Sequence, residues 1–218
     1  MDQQFEGELQ HLKQEILRAG SLVEGMIART IQALVEREAA VARDVIAQDP
    51  SVDQLQVEID TFCLQLLALR QPTASDLRFI TIGMRITTDL ERIGDLAVNI
   101  CEQVIHLQRD PLLKPSAVLP KMAMAAQEML KRALDAFVHR DVSRAQGVCT
   151  TDDIVDRFCT EHYAEQVSGM QADPGTIEAG MRYILVALHC ERVADHATNI
   201  AEEVIFMLQG KDIRHGRV

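Results

Sequence analysis

The chain has 218 residues, 47% of them hydrophobic and 25% charged, with 4% aromatics and no Trp. That balance describes a globular fold with a core of Leu, Ile, Val, Met and Ala, the material of helix bundles. A net charge of −11 argues against nucleic acid, whose affinity rests on Lys and Arg neutralising phosphates; cations and basic partner surfaces suit it better.

Apolar or small residues at Phe5, Leu9, Leu12, Ile16, Ala19, Val23, Met26, Thr30 and Ala33 alternate steps of four and three. That is a helical seam of coiled-coil-like period. It continues to about Gln48 and predicts one long first helix, stopped by Asp49-Pro50 because proline disfavours helix just before it. Val52, Leu55, Ile59, Phe62, Leu66 and Leu69 predict a second helix. Gln71-Pro72-Thr73-Ala74-Ser75 breaks the chain, with Ser75 or Asp76 as the expected N-cap. A third helix carries Ile86, Leu90, Ile93, Ala97, Ile100, Val104 and Leu107. The stretch from Asp110-Pro111 to Pro120 holds three prolines and reads as the linker between two units. Beyond it helices are expected over about 118–149, 151–170 and 174–209, with Gly210 as the final stop and a basic tail at 211–218. No alternating strand pattern appears, so the expected fold is all-α, two tandem three-helix bundles over 1–110 and 118–210.

Internal repetition supports that division. Residues 91–105 recur at 191–205 with nine of fifteen pairs identical, far beyond chance. The shared residues are largely polar: Glu91, Arg92, Asp95, Asn99 and Glu102 stand opposite Glu191, Arg192, Asp195, Asn199 and Glu202. With a three-residue shift, Asp49 and Asp53 pair with Asp152 and Asp156.

The seams place these acids. With Leu90, Ile93, Ala97 and Ile100 turned inward, Glu91, Asp95, Asn99 and Glu102 share the outer side of the third helix, and the second copy does the same. A lone acidic pair on such a face is ordinarily a solvated surface. Here the pair occurs twice, has no Lys or Arg four residues on to relieve its repulsion, and has a second acidic pair on the neighbouring helix. We therefore expect two cation sites, Asp49, Asp53, Glu91 and Asp95 forming one and Asp152, Asp156, Glu191 and Asp195 the other. Carboxylates without Cys favour hard ions such as magnesium, manganese, calcium or iron. Asn99 and Asn199 are placed in support, as weak ligands or donors behind them. His196 could join the second site, although the first has Leu96 there. Arg92 and Arg192 read equally well as ion-pair partners of a neighbouring helix.

The five cysteines have no C-x-x-C spacing; Cys63, Cys101 and Cys190 sit in apolar helical patterns as small buried hydrophobes. A disulfide framework is not expected, nor is a signal peptide in the acidic N-terminus, and no apolar run is long enough to span a bilayer. These readings give a cytoplasmic chain. Long apolar seams on acidic bundles suggest a homodimer.

The quoted motifs, Leu90 to Asp95 and Glu191 to Ile200, are similar to the repeated E-x-x-x-D motifs of the PhoU family, regulators that accompany the bacterial high-affinity phosphate transporter. Gln71 to Arg78 resembles that family's link between second and third helices, and Gly210 to His215 its proteobacterial tail. The resemblance covers essentially the whole chain. It implies two three-helix bundles related by a pseudo-twofold and multinuclear metal clusters on the acidic motifs, with iron or zinc among the metals. It also implies a role in restraining phosphate uptake and the phosphate-starvation response, through contacts with the transporter's ATPase subunit and a membrane sensor kinase. The two copies differ at Gly94, opposite Ala194, and at Asp89, opposite His189.

Enzymatic readings find little support. A di-iron bundle needs two E-x-x-H motifs, and only Glu8-Leu9-Gln10-His11 fits. There is no phosphate-binding G-x-x-x-x-G-K-[ST] loop and no nucleophile beside a base. The stronger alternative is a metal-free acidic helical adaptor for another membrane transporter.

Overall fold

The computed structural model describes residues 3–108 and 116–213. Within them the chain is helical and has no strand. Its elements are α1 (Gln3–Glu36), α2 (Ala39–Ile46), α3 (Asp49–Leu69) and α4 (Ala74–Leu107), then α5 (Leu119–His139), α6 (Val142–Cys149), α7 (Asp152–Ala172) and α8 (Ile177–Gln209). A single 3-10 turn, Pro174–Thr176, leads into α8. The second four helices repeat the first four in order, giving the expected tandem pair of bundles. The linker residues 109–115 and tail residues 214–218 lie outside the described residues.

The seams read from the sequence are the buried sides. Ile86, Leu90, Ile93, Ala97, Ile100, Val104 and Leu107 of α4 are all buried, as are Val186, Cys190, Val193, Ala197, Ile200, Val204 and Met207 of α8. Cys63 and Cys101 are buried with them. In α3 the seam runs out before its last member, since Leu69 is 79% exposed at the helix end.

Two expectations need correction. The first arm of each bundle is not one helix: α1 stops at Arg37 and α5 at Arg140, both in the left-handed conformation with φ of 56° and 54°. In each, the next residue's N–H reaches back to a carbonyl five residues earlier, Glu38 to Ala33 and Asp141 to Ala136, which is a Schellman termination. Glycine ordinarily fills that left-handed position; a side-chain-bearing residue there costs roughly 1–2 kcal/mol. Neither segment offers a glycine to announce it. The second correction is the start of α4, where Thr73 rather than Ser75 or Asp76 is the N-cap. Thr73 and Asp76 form a reciprocal capping box, with Asp76 as its acidic third residue.

α4 and α8 are the central helices, packed on each other and each on the remaining helices of its own bundle. Their cross-contacts pair Arg85 with Glu203, Asp89 with His196 and Gln103 with Arg182. Partner numbers fall on α8 as they rise on α4, so the two run antiparallel, as a pseudo-twofold between the bundles requires. One hydrophobic core passes through both units.

Candidate metal centre

The first acidic set is built where α3 begins. Asp49 opens α3, Pro50 fixes its first turn, and buried Val52 and Leu55 seat that turn on α4. The α3 turn lies against Gly94, where a Cβ would stand at an ordinary contact distance of 3.6 Å from both Asp49 Oδ1 and Val52 Cγ1. Asp49 is thereby set against the outer face of α4, beside Glu91 and Asp95. Burial lifts its carboxyl above the ordinary aspartate range, and the charges of Asp53 and Asp95 lift it further. Glu91 is raised by burial and then by Asp95, with smaller contributions from Asp53 and Asp49 offset by Arg92. Asp49 and Glu91 thus feel the charges of Asp53 and Asp95, which places the four predicted carboxylates near one another. Asp49 Oδ1 is buried without a hydrogen-bond partner, and Glu91 Oε2 has only the ion pair with Arg92 Nε at 3.5 Å.

The second set repeats this at the start of α7. Asp152 is pushed up to about 6, chiefly by burial, then by Asp156 and Asp195, with Thr198 pulling slightly back. Asp195 is raised by burial and by Asp156. Asp152 Oδ1 is again buried without a hydrogen-bond partner. Ala194, fully buried, takes the place of Gly94 in this copy. Glu191 stands slightly apart: its Oε2 accepts from the Cys159 thiol at 3.5 Å. Burial, then Glu191, push that thiol up to about 12, so it remains protonated.

The supporting residues are distributed unevenly. Arg92 does not reach a neighbouring helix; it pairs with Glu91 at 3.5 Å and Asp95 at 3.4 Å on its own. Arg192 is exposed and acts on Asp195 through its charge. Asn99 lies half-buried on the outer face of α4. His196 and Asn199 turn to the other bundle, where both donate to Asp89 Oδ1, at 2.8 and 3.4 Å. This contact joins the second acidic set to a groove of about 590 Å³ between the bundles, into which Asp152 and Asp195 also face. At its floor Arg85 is bonded to the buried Glu203 at 3.0 Å. Sequence reasoning missed Arg85, Asp89 and Glu203, because their partners come from the opposite unit. The exchange of Asp89 for His189 between the copies was the available signal. Elsewhere, Glu8 of the lone E-x-x-H motif is bound by Arg70 at 2.7 Å, and the His11 ring packs edge-on against Phe62.

The donors fit a cation. Oxygen-rich sets with orphaned, partly buried carboxylate oxygens are held apart by mutual repulsion that a bound positive charge would reverse. Among the described residues no three His, Cys, Asp or Glu side chains already stand in a coordinating group. Each set is thus an open array rather than a preformed cage. No helix among the described residues is long and apolar enough to cross a membrane.

Comparison with known proteins matches this architecture. The PhoU domain description matches residues 16–104 and again 119–204. The phosphate-specific transport system accessory protein PhoU homolog of Caulobacter vibrioides is 38% identical over 211 residues, 96% of this chain and 92% of that one. Its namesake in Pseudomonas aeruginosa is 36% identical over 216 residues, 99% of this chain and 89% of that one. The crystal structure of PhoU from Pseudomonas aeruginosa superposes with a TM-score of 0.92 at 35% identity, covering 95% of this chain and all of that one. The phosphate transport system regulatory protein PhoU from Streptococcus pneumoniae gives 0.88 at 31% identity, covering 95% and 98%. With two matched domains and relatives along its whole length, this chain belongs to the PhoU family.

Proposed function

We propose that the chain is a regulatory accessory protein of phosphate transport, which restrains phosphate uptake and the phosphate-starvation response when phosphate is plentiful. It acts in the cytoplasm as an adaptor, contacting the transporter's ATPase subunit and a sensor histidine kinase, rather than by catalysing a reaction. The carrying observation is a carboxylate set built twice, at equivalent helix junctions, in a chain that matches phosphate-transport accessory proteins from end to end. Asp49, Asp53, Glu91 and Asp95 hold one ion or cluster, and Asp152, Asp156, Glu191 and Asp195 the other. Iron, zinc, manganese and magnesium are the candidates. A bound ion supplies positive charge, which cancels the repulsion and ties α3 to α4 and α7 to α8. The carboxylates must draw inward to hold it.

A strain lacking the gene, grown in abundant phosphate, should express its phosphate-starvation genes as though starved. Normal repression in that strain, with no second copy of the gene present, would contradict the proposal. The open geometry of both sets favours one alternative, a metal-free acidic adaptor for another membrane transporter. Metal analysis of protein purified without chelators or a metal-affinity tag separates the two.

A further inference from the structure

The outer faces of α4 and α8 repeat one another along only half their length. In the C-terminal halves the match is residue by residue: Arg92, Asp95, Asn99 and Glu102 against Arg192, Asp195, Asn199 and Glu202. One to four turns earlier, the same face of α4 carries Leu77, Thr81, Arg85 and Thr88, while α8 carries Ile177, Met181, Leu185 and Leu188. Those four α8 side chains are 49%, 49%, 39% and 41% exposed, at steps of four, four and three. They form a straight apolar strip about 17 Å long, at 1.5 Å per residue. Single exposed apolar residues are ordinary, whereas an aligned strip marks a contact surface.

The surroundings of the strip define what fits it. The register that joins Gln103 to Arg182 at 3.3 Å sets Asn99 and Glu102 of α4 alongside Leu185 and Leu188. Past Leu188 the same line runs through Arg192 into the second acidic set. Of the two cations beside it, Arg182 is already held by Glu178 at 2.8 Å and Arg192 acts on Asp195. The strip is therefore edged by Glu102 on its α4 side and, beyond Arg192, by the second acidic set at its C-terminal end. We infer that this strip is a docking groove for a basic amphipathic helix of a partner protein, apolar side chains on α8 and Lys or Arg toward the carboxylates. An anionic bilayer would be repelled by the same edge. A second copy laid antiparallel on the strip would bring like carboxylates face to face. Because α4 carries Thr81, Arg85 and Thr88 at three of the four equivalent positions, only Leu77 there being apolar, each chain has one such groove, and its partner binds in one orientation. This inference stands independently of the phosphate reading.

The test uses the full chain and a fluorescein-labelled synthetic helix of about 18 residues, five turns, with Leu along one face and Lys on both flanks. A twin carrying Glu in place of Lys is the control. The chain is compared with a variant holding Met181→Thr, Leu185→Gln and Leu188→Thr, which leaves every charge in place. The Lys peptide should bind the native chain at least about tenfold more tightly than its Glu twin, and the variant at least about tenfold more weakly, each step being about 1.4 kcal/mol. Single substitutions Met181→Thr and Leu188→Thr should each give part of that loss, and they serve if the triple variant loses its helical circular dichroism. Failure of the native chain to bind the peptide would overturn the inference. So would equal binding to native and variant chains, which would mean charge alone is read. A native dimer by light scattering that becomes monomeric in the variant would show a second copy as the occupant, and overturn it equally.

Discussion

Replacing Asp152 by Asn should stabilise the metal-free protein at neutral pH, although it removes a charged residue from the first turn of a helix. In the fold the Asp152 carboxyl rises from 3.8 to about 6, so the native state holds this proton more tightly than the unfolded chain does. The sign follows from linkage: between these values the native state binds more protons, and stability falls as pH rises through the window. The advantage is complete below about pH 4 and gone above about pH 6. At about 1.36 kcal/mol per pH unit the unscreened cost of the charge is about 3 kcal/mol. Asp152 is only half-buried, and solvent screening reduces this to about 1–1.5 kcal/mol. Urea denaturation followed by circular dichroism, with chelator present, should show Asp152→Asn more stable by about that amount at pH 7.5, and the two proteins converging near pH 4. Added manganese should reverse the order, stabilising the native chain more than the variant. A variant less stable at pH 7.5, or a difference that does not change with pH, would refute the account of this carboxylate.

The other expectations are more local. Gly94→Ala should raise stability by about 0.5–1 kcal/mol in thermal denaturation, because the added methyl meets Asp49 Oδ1 and Val52 at ordinary contact distance; the other copy carries Ala194 at this position. Arg85→Ala should cost about 1–2 kcal/mol by leaving buried Glu203 without this partner, and adding Glu203→Gln should recover most of it. His162, on α7, is fully buried, with Ser116 Oγ accepting from its Nδ1 at 2.9 Å, and burial lowers its pKa below the usual 6.5. The unfolded chain then binds the proton first, so this histidine withdraws stability as pH falls below 6.5. A His162→Gln variant should lose less stability than the native chain between pH 7 and pH 5 in the same urea assay.

What the sequence disclosed was governed by periodicity. The seams of α4 and α8 were legible because burial repeats every three to four residues within one helix. The acidic residues were legible as paired outer-face positions because their i,i+4 spacing is copied one hundred residues on. Thr73 escaped notice as an N-cap because Ser75 and Asp76 compete for the role at neighbouring positions. The breaks at Arg37 and Arg140 left a fainter trace. Only the second has a side-chain cap, Asp141 accepting from the Arg144 N–H at 3.0 Å; Glu38 offers none. Contacts between the bundles were not legible at all. Asp89 meeting His196 depends on two helices from different units crossing antiparallel, and no pattern inside either unit encodes that register.

The most direct test of the account is the metal content of the chain, measured by mass spectrometry after purification without chelator or affinity tag. The native protein should carry bound cations, Glu91→Gln with Asp95→Asn should halve them if the two sets act independently, and the matching pair Glu191→Gln with Asp195→Asn should remove the remainder. Native protein free of cations, or metal content unchanged in the first double variant, would contradict the claim that these carboxylates are a cation site built twice.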